Sequence, residues 1–298
     1  LRRLVEMPGK LTSSRVLAVS GLSYITLAQG DVQRALVLDR ESLKGWQSLS
    51  DPAGVAWAKK RIGIDHLALG DLGAAQRYLE GALQDAKAAG ATPHTYLTLL
   101  MLGDLNRTQQ RYGQAASYYE DSLRLMEAEG DTAHAAHGVL GLGCVREAQN
   151  RPAEAQELVA QALQMFHTLG ERRVIAACLD GLGSFAVERG QAQRAACLFG
   201  AASGLRGSIG AAPTHALFAA ERERGLARVQ ALLSSIEFEG AWNDGLSRGY
   251  DGILEMALAP HDGRAAAQGS EWPPGLTPRE REIATLLVDR LSNREIAG

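Results

Sequence analysis

No apolar run in this chain approaches the about 18 residues that a membrane-spanning helix needs, and the opening stretch LRRLVEMPGKLTSS has no continuous apolar core of the signal-peptide kind. A membrane partner is therefore not expected, and the protein reads as cytoplasmic. Aromatic residues are scarce at 5% of 298 residues, while Ala, Leu, Gln and Arg abound and Gly recurs at intervals, which favours helices joined by tight turns over sheets. Charge of either sign is nearly balanced, with a net charge of −3, so no global basic field advertises nucleic acid and any DNA contact must be local. Cysteine is limited to Cys144, Cys178 and Cys197, an odd number without CxxC spacing, which points to reduced core thiols rather than disulfides or zinc ligands. The chain also lacks GxSxG, HExxH and a phosphate loop: Gly9-Lys10 has Leu4 where the first glycine should stand and Leu11 where Ser or Thr should follow. No enzyme and no cofactor are expected within these residues.

What the sequence does have is a repeat of 40 residues. LAQGD at 27 to 31 and LALGD at 67 to 71 are followed by TQQRY, AQNRP and VERGQ at 108 to 112, 148 to 152 and 187 to 191. Around these turns run aligned columns: Ala35, Ala75, Ala115, Ala155 and Ala195; Ser23, Gly63, Gly103, Gly143 and Gly183, each preceded by Leu or Ile; and Ser42, Ala82, Ser122, Ala162 and Ala202. Small residues on two successive helices let their backbones approach, so each repeat reads as a helical hairpin. A second punctuation column, Ser50, Gly90, Gly130, Gly170 and Gly210, marks the turn between hairpins. Asp51-Pro52 and Thr92-Pro93 each read as an N-cap followed by proline at the first helical position. The spacing predicts helices near 12–29, 32–49, 52–69 and 72–89, and onward in the same register. Beyond Gly210 the pattern weakens into two further helical stretches, beginning at Pro213 and Glu237, that would cover the last repeat's open face.

These columns resemble the tetratricopeptide repeat, lengthened from about 34 residues to 40 over roughly residues 12 to 210. The resemblance implies an all-α superhelical solenoid whose first helices line a concave groove. Groove candidates are then Tyr24, Trp57, Lys60, Asp104, Arg107, His137, Glu147, Asp180 and Glu188, a mixed surface able to take an inducer or a protein partner. Residues of the same types also cover ordinary solvated faces, so a groove is predicted rather than a pocket. His134, His137 and Cys144 fall near one helix face, but nothing supplies a fourth ligand and no metal site is predicted.

Residues 259 to 275, APHDGRAAAQGSEWPPG, have no periodic apolar face and read as a linker between a repeat domain, 1–258, and a final unit, 276–298. That unit opens on Thr277-Pro278-Arg279-Glu280 and restarts on Ser292-Asn293-Arg294-Glu295, both capping boxes. The pattern resembles the start of the LuxR-type helix-turn-helix, matching at Leu276, Thr277, Arg279, Glu280, Glu282, Ile283, Leu291, Ser292, Asn293, Glu295, Ile296 and Ala297, with Arg290 where the family has a turn glycine. The resemblance implies that Ser292, Asn293 and Arg294 approach DNA phosphates, and that the helix which reads bases would follow residue 298. Four arginines against four acids in 276–298 leave little nonspecific attraction for DNA.

Solenoid, linker and helix-turn-helix in this order resemble the MalT-like, ATPase-linked bacterial regulators. Since the chain opens on Leu1 and closes inside a motif, it is expected to be a fragment of such a regulator, with any ATP-binding module upstream. The expected partners are promoter DNA once the helix-turn-helix is complete, an inducer or protein at the repeats, and a further copy of the chain in a homo-oligomer. Two rivals stand beside this reading: a tetratricopeptide scaffold that binds proteins and not DNA, and a signalling ATPase or kinase whose catalytic part lies upstream.

Overall fold

Left-handed backbone punctuates this chain every 20 residues. Positive φ occurs at Gly30, Ser50, Gly70, Gly90, Gln110, Gly130, Asn150, Gly170 and Gly190, which are the two predicted turn columns. Each such residue ends a helix in the same way: at the first turn, Gly30 N–H donates to the Leu27 carbonyl and Asp31 N–H to the Thr26 carbonyl, so the last carbonyls of the helix are satisfied. The next helix starts at once, because Asp31, Asp51, Asp71 and Asp131 accept the backbone N–H three residues on. Thr92 is the exception to the predicted caps: it is already the first helical residue, with Ala91 in the cap position and no side-chain cap.

The computed structural model describes residues 12–209 and 216–258. Among them it shows thirteen α-helices and no strand. Five hairpins come first: α1 Ser13–Ala28 with α2 Val32–Ser48, α3 Pro52–Ala68 with α4 Leu72–Ala88, α5 Thr92–Thr108 with α6 Tyr112–Glu129, α7 Thr132–Ala148 with α8 Pro152–Leu169, and α9 Arg172–Glu188 with α10 Ala192–Ser208. Three more follow, α11 Ala216–Leu232, α12 Ser235–Ser247 and α13 Tyr250–Leu258. Two compact units divide the chain, Leu1–Ala257 and Leu258–Gly298. No described helix is long and apolar enough to cross a membrane.

The hairpins close through the small-residue columns. A methyl group at Gly63, Gly103, Gly143 or Gly183 would press on Leu79, Tyr119, Val159 or Phe199, the residue 16 positions later in each hairpin. Glycine there lets a large apolar side chain lie across the backbone of the first helix, and the alanine column behind it is fully buried. In the first hairpin the exchange is polar: Ser23 stands in the glycine column and donates to Asp39, in the column of large side chains, at 2.6 Å. The stack ends differently from its repeats. The stretch beginning at Glu237, read as one helix, is broken at Arg248, whose extended backbone separates α12 from α13. Helix α12 lies directly on α10, and Gly200, Gly204 and Gly245 permit it: a Cβ on Gly245 would sit 1.9 Å from the Cys197 carbonyl oxygen.

Candidate binding surface on the inner wall

Curvature follows from which helices touch. The first helices of successive hairpins pack on one another, α3 on α5, α5 on α7 and α7 on α9, and no second helix packs comparably on the next second helix. First helices therefore form the inner wall, in a single layer. Helix α11 continues that layer by packing on α9, and it also reaches α3.

The structure sorts the predicted groove residues into three groups. Tyr24 is 63% exposed, with the Arg61 guanidinium 5.5 Å from its ring centre, and His137 is exposed and meets the Phe166 ring edge-on at 4.9 Å. A second group holds the wall together. Asp104, half-buried like Arg107, accepts the Tyr119 hydroxyl at 2.7 Å, and Glu147 on α7 receives Arg189 from the end of α9 at 2.9 and 2.5 Å. Asp180 is buried under two arginines, Arg206 at 2.6 Å and Arg222 of α11 at 3.3 Å, and Glu188 pairs with Arg228 of α11. Asp180, buried, and Glu188, exposed, tie α11 to the layer.

Trp57 and Lys60 form the third group. The Lys60 ammonium lies 3.8 Å from the Trp57 ring centre, and His94 of α5 tilts against the other part of the site with ring centres 5.5 Å apart. Lys60 is only 5% exposed. Burial, helped by the charge of Arg61, pushes its amine down to about 7. His94 is lowered by burial and by the charge of Lys60.

Behind this wall stands a cluster that periodicity did not single out. Arg61, Asp65 and Asp39 are buried where other hairpins place apolar or small residues. Arg61 reaches Asp39 at 3.4 Å and the Ser23 hydroxyl at 3.4 Å. Asp65 has no hydrogen-bond partner on either oxygen, so its charged form is the costly one. Burial first, then the charge of Asp39, raises Asp65 to about 8. A single sequence offered one signal for it, the break in the apolar columns at Asp39 and Asp65.

Compared with known proteins, the chain matches a tetratricopeptide repeat family model over residues 54–128. No curated protein sequence matches it significantly. Among solved structures it is similar to the apo form of RapI, at 11% identity and a TM-score of 0.53, covering 78% of this chain and 88% of that one. It is also similar to BtubC (BKLC) from P. vanneervenii, at 15% identity and a TM-score of 0.48, covering 89% of this chain and 96% of that one. The fold is thus an all-helical tetratricopeptide-like solenoid, with its repeat identity carried by the second and third hairpins.

Among the described residues no group of three His, Cys, Asp or Glu side chains stands close enough to hold a metal. His134 is engaged by Asp131 at 2.7 Å, Cys178 is buried and Cys144 half-buried. Ser292, Asn293 and Arg294 lie outside the described residues.

Proposed function

We propose that this chain is the partner-binding solenoid of a DNA-binding transcription regulator. The observation that carries the first half is the inner wall: a continuous layer of first helices presenting Tyr24, Trp57 and His137 to solvent around polar groups, a surface of the mixed kind that protein segments dock on. The second half rests on the resemblance of residues 276 to 298 to the opening of a LuxR-type helix-turn-helix. In this reading an inducer or protein on the wall alters how the tail meets promoter DNA, and homo-oligomers place two tails on one operator.

The repeats by themselves also fit a protein-interaction scaffold without DNA binding, a reading favoured by the family match at 54–128. Photo-crosslinking amino acids at positions 57 and 137 on the inner wall, against positions 80 and 124 on the second helices, test the shared part. The expected result is one defined adduct from the inner positions only. Adducts from the outer positions alone would reject the wall as the binding surface.

A further inference from the structure

The Trp57 site carries two polar groups that the described residues leave without a hydrogen-bond acceptor or donor: the Lys60 ammonium over the indole, and His94 Nδ1, which is buried. An ammonium on a largely buried stem, with an aromatic ring beneath it and no carboxylate beside it, is suited to take an acceptor from outside. Equivalent positions in the other hairpins are Ser20, Leu100, Leu140 and Asp180, so Lys60 is not a requirement of the repeat. Its neighbour Arg61 is already committed to Asp39 and to the Ser23 hydroxyl. Trp57 and His94 are both half-buried, which leaves the site open along their edges.

We infer that Lys60, His94 and Trp57 form a subsite for one carboxylate of the ligand on the inner wall, resting on the reading of that wall as a partner surface. The carboxylate accepts from the Lys60 ammonium and from His94 in its Nδ1–H tautomer, and the apolar part of the ligand lies on the indole. One full cation suits a monoanionic carboxylate better than a dianionic phosphate. The carboxylate comes either from an acidic residue of a protein segment or from a small organic acid, and the two sources are separable.

The test uses the whole chain and two probe pairs: a capped peptide carrying glutamates against its glutamine isostere, and benzoate against benzamide. Acid over amide by roughly tenfold is expected in one pair, at low salt, measured by calorimetry. Lys60→Met should level that pair without weakening the amide probe, and His94→Ala should reduce the preference in part. Unchanged helical circular dichroism in Lys60→Met excludes misfolding as the cause. Preference in the peptide pair assigns a protein segment, and preference in the benzoate pair assigns a small acid. No preference in either pair, or a preference that survives Lys60→Met, overturns the subsite. Crosslinking at 57 and 137 judges the wall itself, so a wall that binds without acid selectivity is distinguished from one that does not bind.

Discussion

Replacing Asp65 by Asn should remove a pH dependence of stability that the buried carboxyl pair creates. In the folded chain Asp65 is fully buried beside Asp39 with one arginine between two acids, and its proton is held up to about pH 8. Unfolded, the same carboxyl releases its proton near pH 4, as a free Asp does. Between these values the folded state binds one proton more than the unfolded state. Stability linked to this group is therefore fully present below about pH 4 and is lost as pH rises toward about pH 8, at about 1.4 kcal/mol for each pH unit. The pair titrates as a unit, with Asp39 also raised by burial, so the slope belongs to the dyad. Lys60 changes protonation only near 7, which makes pH 5 to 6.5 the clean window. Over that window wild type should lose about 2 kcal/mol relative to Asp65→Asn. Asn keeps the shape and a donor for Asp39 and carries no charge. The assay is urea unfolding at several pH values, with hydrogen exchange on α1 to α3 as a local readout, because stacked repeats need not unfold as one. Parallel pH profiles for wild type and Asp65→Asn would refute the raised Asp65 carboxyl.

Three further outcomes follow from the same physics. Gln110 adopts φ of 60° at a turn where six of the other eight equivalent positions are glycine; Gln110→Gly should stabilise by about 1 kcal/mol, read as a higher urea midpoint with unchanged slope. Gly245→Ala should lift α12 off α10, since the added methyl falls on the Cys197 backbone at 1.9 Å; a loss of about 3 kcal/mol and faster reaction of Cys197 with a thiol reagent are expected, and a neutral variant would contradict the close crossing. Lys60→Met should be stabilising at pH 6, where the folded chain carries the buried charge, and the gain should shrink as pH rises from about 7 toward about 10 because wild type recovers by holding the amine neutral.

The turns were the most legible part of the sequence because their chemistry is local: an αL residue at a fixed spacing, followed at four of them by an aspartate that caps the next helix. Helix limits agree with expectation to one residue in the first hairpins, for example Pro52–Ala68 against 52–69. The break at Arg248 was not legible, because Leu246, Tyr250 and Ile253 keep helical spacing across it. Placement of site residues was mixed for a related reason. Repeat register puts Trp57 and Lys60 on the inner wall, but it cannot show that arginines of α11 pair with Asp180 and Glu188, a contact made between residues distant in sequence. The Asp39–Arg61–Asp65 cluster escaped because each member, taken alone, looks like an ordinary charged residue on a helix, and the break in the apolar columns at Asp39 and Asp65 was its one signal before burial showed it.

Promoter-library binding at stated salt by the polypeptide that carries this chain with its helix-turn-helix completed, against the same polypeptide lacking residues 276 to 298, tests the regulator reading most directly. The account predicts sequence-selective binding by the first and none by the second, with inducer and dimerisation controlled. Equal, nonselective binding by both would contradict it and leave a protein-binding scaffold.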